Sequence, residues 1–428
     1  MANPITLMRA ARSLCMAALV VGGGGSAWAA GEDGDEGRAL CAAKILTCAA
    51  EAGPADVVNN GALLIKDGVI QGVLHNASDI PDGYKVEDLG DAWLMPGLVD
   101  LHSHIAGRGY NDAVFQANPG LRVKCTVVPQ NGNLVRALAA GVTTILYIPG
   151  SATTVGGQGV LLKTSPATYE SMVVRDPGSI KVAQADNPKR WGFRMNRIFL
   201  NWTIREIFGR GAVYAQAWDD FEAGTGPKPE RNIQLDIFRD LFAHRTQISA
   251  HTQVHQVILA SMDIMKAKYG LDLYIDHGTF DGYKAAAIAE ELGVAAVIGP
   301  RSVNFQNKGR GIDTDGAVIG VAAEYQRRGH SRIGFNTDAP VVPQEELALQ
   351  AAMGVRYGFD DSEQGAIRGV TIVPAGIAGI DHRVGSLEAG KDADVLVITG
   401  HPSDPRTSVE RVYVNGERVY DATEGRVF

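Results

Sequence analysis

The sequence predicts an α/β protein: a (β/α)8 TIM-like barrel with a small composite β-sandwich domain formed from both chain ends. Three observations carry that prediction. Eight short apolar runs recur between residues 94 and 340, separated by helix-like segments. At least five of them have His or Asp at or just past their C-terminal ends, and barrels gather active-site groups on that one face. The flanks, 31–93 and 385–428, read instead as short strands with hairpin turns. Periodicity alone would also suit an open doubly wound sheet; the placement of the polar ends favours the barrel.

The first element is not part of the fold. Arg9 and Arg12 precede the apolar run CMAALVV, and small residues follow through Ala27-Trp28-Ala29. That is the layout of a secretory signal spanning residues 1–30. The run is too short to span a bilayer, and no later run reaches the ~18 apolar residues a membrane helix needs. The expectation is an exported protein, periplasmic or secreted, without stable membrane insertion once the signal is removed; a retained interfacial anchor is the alternative. In an oxidising compartment Cys41 and Cys48, in LCAAKILTC, could pair; two buried thiols suit the sequence equally.

The remainder is ordinary for a large soluble domain. Hydrophobic residues make up 45% and charged residues 21% of 428 positions, enough for a core that needs no disulfides. The formal net charge of -8, with no basic stripe, argues against nucleic acid.

Residues 31–93 hold the first strands. GALLIKDGVIQGVLH alternates around Asp67-Gly68, a hairpin signal. Residues 94–384 then supply the barrel runs: LMPGLVDLH, GVTTILYIPG, GVLLK, SIKVAQAD, TQISAHT, LDLYIDHG, GVAAVIGP and RIGFNTDAP. Glycines end the helical segments SMDIMKAKYG and YKAAAIAEELG. Residues 203–235 read as a helical excursion carrying a Gly/Pro loop. Residues 385–428 return to strands, with Asn415-Gly416 as a second hairpin turn. They are too few to fold alone and are expected to rejoin the N-terminal sheet.

The chemistry lies at the strand ends. His102 and His104 are two apart, so in a strand they face the same way and can converge on one point. His251 ends TQISAH, His277 ends LDLYIDH and Asp338 ends RIGFNTD. A single buried histidine is more often a satisfied core residue. Four imidazoles and a carboxylate in matching places suit zinc or a similar divalent ion.

These residues carry a resemblance. GALLIKDGVIQGV, LMPGLVDLHSHIAG, AAGVTTILYIPG, YIDHGT, NTDAP and VGSLEAGKDADVLVITGHPSDP, in that order, resemble the amidohydrolase superfamily and, within it, the imidazolonepropionase-like metal-dependent hydrolases. The resemblance implies that His102, His104, His251, His277 and Asp338 bind one or two divalent ions, with zinc the leading choice, and that Asp338 is also the general base. Many relatives with two metals place a carboxylated lysine on the fourth strand. Here SIKVAQADNPKRWG puts Asp186 at the end of the run and Lys181 five residues earlier, so Asp186 is the favoured ligand. The competing reading makes Asp186 a helix N-cap before Asn187-Pro188. Arg301, after VIGP, could reach a substrate carboxylate or lie in solvent; His255, four residues past His251, reads as a helix-face or substrate-loop residue. Gly156-Gly157-Gln158-Gly159 reads as a glycine-rich loop near the pocket.

The expected activity is hydrolysis of a carbon–nitrogen bond, amide, peptide or cyclic amide, in a small-molecule substrate. Metal-activated water attacks, Asp338 moves the proton, and His277 assists at the carbonyl. An esterase or lactonase would use the same site, a dipeptidase would suit an exported protein, and a catalytically silent binding homologue is the rival of a different class. A homo-oligomer is compatible with the sequence.

Overall fold

The computed structural model describes residues 36–49, 56–112, 114–165, 168–184, 187–188, 196–305 and 318–428. The signal segment 1–30 and Asp186 lie outside the described residues.

Five strands come first: Gly37–Leu46 (β1), Val57–Lys66 (β2), Val69–Leu74 (β3), Tyr84–Asp88 (β4) and Trp93–Pro96 (β5). The hairpin expected at Asp67-Gly68 joins β2 to β3. Both turn residues hold positive φ, 53° and 76°, the mirror-image turn whose twist matches paired strands.

The barrel strands follow as Leu98–Ser103 (β6), Val142–Tyr147 (β7), Val155–Lys163 (β8), Val173–Ala183 (β9), Ile248–Thr252 (β10), Leu273–His277 (β11) and Ala295–Ile298 (β12). A two-stranded pair, Val303–Phe305 (β13) and Val318–Gly320 (β14), precedes the last barrel strand, Ile333–Phe335 (β15). The barrel strands lie side by side in chain order. A parallel bridge between Ser103 and Ala339 brings the end of β15 back to β6 and nearly closes the cylinder.

The chain closes the small sheet with Val395–Ile398 (β16), Val409–Val414 (β17) and Glu417–Asp421 (β18). The order β18-β17-β16-β5-β1-β2-β3, with β4 beside β1, mixes strands from both ends in one sheet. Asn415 and Gly416 turn β17 into β18 with φ of 51° and 76°. Leu40, Ile45, Leu63, Leu94, Val395 and Tyr413 form its buried cluster. Lys163, at the end of β8, is buried against Asp392 at 2.9 Å and Asp394 at 2.7 Å, tying barrel to sheet.

Several details differ from the sequence reading. The run LMPGLVDLH divides at Gly97, β5 pairing with β1 and β16 while β6 opens the barrel. The third barrel strand, β8, runs antiparallel to both β7 and β9. Only residues 148–154 separate β7 from β8, and a parallel crossover needs a dozen or more, so the chain returns as a hairpin. Gly156-Gly157-Gln158-Gly159 is the start of β8 rather than a loop. A Cβ on Gly159 would lie 2.6 Å from Ile148 Cγ2, which is why the strand tolerates no side chain there. Cys41 and Cys48 are free thiols. Cys41 sits in β1 and Cys48 two residues past its end, and a seven-residue rise of ~3.3 Å per residue holds them beyond disulfide reach.

The excursion expected near 203–235 is a long helix, Arg197–Glu222, a loop, and a second helix, Asp236–Phe242. They meet edge-on at Phe208 and Phe238. No helix among the described residues is long and apolar enough to cross a membrane.

Candidate metal centre

The end of β6 delivers Asp100 and His102, with His104 just beyond; the spacing of two keeps all three on one face. His251 comes from β10, His277 from the last position of β11, and Asp338 from just past β15. His277 and Asp338 hold φ of 78° and 50°, a left-handed conformation that bulky residues adopt at a cost of about 1–3 kcal/mol and that concentrates at functional sites.

Three of the four imidazoles are oriented by an outer nitrogen. His102 Nδ1 lies 2.8 Å from Asp276 Oδ1. His104 Nδ1 donates to Ile148 O at 2.8 Å, and His277 Nδ1 donates to Gly299 O at 2.7 Å. Carbonyls only accept, so Nε2 of His104 and of His277 carries a lone pair facing inward. There His102 Nε2 lies 3.2 Å from His104 Nε2 and 3.0 Å from Asp338 Oδ1. His277 Nε2 lies 3.0 Å from His251 Nδ1. His251 Nε2 is buried with no partner among the described residues.

Two overlapping sets result, His102–His251–His277 and His102–His104–Asp338, with one ligand atom from each residue within 4.8 Å of the others. Inward lone pairs this close repel unless a proton or a cation lies among them. An orphaned imidazole nitrogen, a carboxylate and an outer hydrogen bond on three of the four rings are what a divalent ion requires. The residues present therefore fit one.

The electrostatics agree. Burial pushes His251 and His104 below the usual histidine range and takes His277 to about 4, so these three are neutral, as ligands must be. Burial would lower His102 too, but Asp276, with help from Asp338, overcomes it and raises it to about 9. Its two N–H groups then face two carboxylates. Burial works against ionising Asp338, yet the charged His102, 3.0 Å away, holds it well below the usual carboxylate range.

Sequence reasoning set Lys181 aside in favour of Asp186 and missed the other neighbours. Lys181, placed at the wrong end of its strand by reading the run through to residue 186, is fully buried here, with Nζ 3.0 Å from Asp276 Oδ2 and 3.3 Å from His102 Nε2. The strand stops at Ala183 and begins at Val173, and the internal Pro177-Gly178 disguised that length. Asp276 accepts from His102, Lys181 and Ser249. Strict alternation sends Asp276 and His277 to opposite faces; the positive φ of His277 breaks it. Asp100, raised to about 6 by burial, accepts from Thr337 and Gln344 and so braces the residue before Asp338. Tyr110 stacks on His104, ring centroids 4.6 Å apart.

The two expected substrate contacts are placed differently. Arg301 is exposed just past β12 on the same rim, its guanidinium over the Phe280 ring. His255 opens the helix His255–Met262, its backbone N–H bonded to Asp281. No hydrogen bond or ring contact joins its imidazole to the cluster among the described residues. His330, buried beside Tyr325 and 3.3 Å from Glu290, precedes β15 and lies away from the metal rim.

Residues 312–419 match the profile of the Amidohydrolase family. The amidohydrolase TasK of Hapsidospora irregularis is 24% identical over 404 residues, 84% of this chain. This chain spans only 40% of that longer protein. The imidazolonepropionase of Sphingopyxis alaskensis is 25% identical over 388 residues, 84% of this chain and 91% of that protein. The crystal structure of an amidohydrolase from Thermotoga maritima is similar with a TM-score of 0.77 and 29% identity, covering 90% of this chain and 99% of that one.

Proposed function

The chain belongs to the amidohydrolase superfamily, among imidazolonepropionase-like members, and from that premise we propose that it hydrolyses a carbon–nitrogen bond, amide, peptide or cyclic amide, in a small molecule. The observation that carries the reading is the set of inward imidazole nitrogens 3.0–3.2 Å apart beside the Asp338 carboxylate.

His102, His104, His251, His277 and Asp338 would hold the ion, and zinc suits a set rich in imidazole. A divalent ion there supplies Lewis acidity, which brings the pKa of a water to about 7. Asp338 is ionised and partly exposed, so its carboxylate takes the water's proton and passes it to the leaving nitrogen. His277 has its N–H committed to Gly299 O, so it would hold the ion as a ligand and is not free to donate to the substrate carbonyl. Lys181 fills the fourth-strand place in this reading. Carboxylation of its Nζ would turn a cation into an anion and suit a second ion. Arg301, exposed on the rim loop, would meet a substrate carboxylate in this reading.

The same centre would open an ester or lactone, since activated water attacks both kinds of carbonyl. Turnover of a panel of N-acyl amino acids, dipeptides, cyclic amides and lactones by the metal-loaded protein tests the reading. Metal-dependent release of amine supports it; inactivity across the panel, with metal bound, favours a silent binding protein. Residues 1–30 make export part of the proposal, and fractionation of expressing cells tests that part separately.

A further inference from the structure

The rim opposite the metal centre has a cavity of its own, of about 240 Å³. It opens at the N-terminal ends of the strands: Gln247 precedes the first residue of β10, Leu273 starts β11, Ala295 starts β12 and Arg332 precedes β15. The ligands occupy the other ends of the same strands, so this cavity shares no residue with the metal centre.

Its polar lining is short of acceptors. Gln247 is only 6% exposed, and its Nε2 is buried with no partner among the described residues. Arg175 gives Nη1 to Ala378 O at 2.6 Å and Nη2 to Gly178 O at 2.8 Å, while its Nε is buried and unpartnered. Burial lowers its pKa, a sign of the desolvation this guanidinium bears. The Arg332 guanidinium makes no hydrogen bond or ion pair among the described residues, though Glu290 is near enough to feel its charge. Lys266 reaches the cavity from a π-helical turn, Asp263–Ala267, a distortion frequent at functional sites. One carboxylate, Asp272, faces these cations, and it already meets His244 at 2.7 Å and Lys266 at 3.7 Å.

We propose that this cavity binds a small oxyanion, a phosphate or a carboxylate. Buried donors without acceptors are costly, and an oxyanion supplies both acceptor oxygens for Gln247 and Arg175 and the paired negative charge that Arg332 lacks, beside a Lys266 that shares Asp272 with His244. A water molecule would satisfy the two orphan donors but not the charge, which makes water the outcome to exclude.

Inorganic sulfate is the probe, because it is a weak ligand for a divalent metal. It is titrated calorimetrically into the metal-loaded full chain, with ionic strength held constant by sodium chloride. The expected result is saturable binding at one site, weakened at least tenfold in Arg332→Glu and severalfold in Gln247→Leu. Hydrolytic turnover without sulfate stays at the wild-type level in both. Arg332 is exposed, so its variant carries the test should Gln247→Leu fail to fold. Displacement of sulfate by inorganic phosphate or by acetate distinguishes the two ligand classes. Absence of saturable binding overturns the proposal, and so does binding unchanged in Arg332→Glu, which would place the anion at the metal centre.

Discussion

Asp276 holds His102 across the barrel, Oδ1 to Nδ1 at 2.8 Å, from 174 residues further along the chain. The bond fixes which nitrogen of His102 faces the cluster. Asp276→Asn keeps the shape and removes the charge. Loss of such an outer partner weakens metal binding by about 10–100-fold, read by competition with a chromophoric chelator. Wild-type affinity in this variant would show that the carboxylate does not tune the site.

The same pair links metal to pH. His102, raised to about 9, keeps a proton at neutral pH and must release it to become a ligand. Apparent metal affinity therefore rises by about tenfold per pH unit from neutrality, levelling near the His102 value. Calorimetry in buffers of differing ionisation enthalpy should count close to one proton released per ion at His102. A pH-independent affinity would contradict it.

Asp338→Asn should leave most of the bound metal in place and lower turnover by a factor of about 10²–10⁴, the range a positioned base contributes. Metal content by plasma emission and kcat on the best substrate are measured together. A variant with full activity removes Asp338 from the proton path.

The fourth strand offers two candidates. Lys181→Ala should lower metal stoichiometry, because its Nζ stands within 3.3 Å of His102. Asp186→Ala should not, if Asp186 is only the cap of the helix that follows. Loss of metal in the second variant and not the first would return the ligand role to Asp186.

Gly299 has φ of 147°, and a Cβ there would sit 2.3 Å from Asn336 O. Gly299→Ala should move the carbonyl that orients His277. Strain of this kind costs about 1–3 kcal/mol, so a lower Tm with reduced metal content is expected. Unchanged values for both would mean that the loop relaxes without disturbing His277.

Much of this was legible in the sequence because it is local. The turn at Asp67-Gly68 and the pairing of His102 with His104 depend on residues within a few positions. The same holds for the stop signals Gly270 and Gly293, which both hold positive φ. What stayed hidden is non-local or breaks a period. Lys181 was obscured by the length of β9, Asp276 by the departure from alternation at His277, and the direction of β8 by a connection that gave no helical signal. The contact of Tyr110 with His104 depends on how a loop folds back, which no spacing encodes.

The inverted β8 has a consequence for anyone redesigning selectivity. In a regular barrel every segment after a strand overlooks the reaction chamber, and every segment before one lies at the floor. Here that bookkeeping flips once: the glycine-rich beginning of β8 is at the chamber and Lys163, its far end, is bolted to Asp392 and Asp394. Variation grafted after residue 163 would loosen the joint between the two sheets, while changes at 148–154 would reshape the mouth.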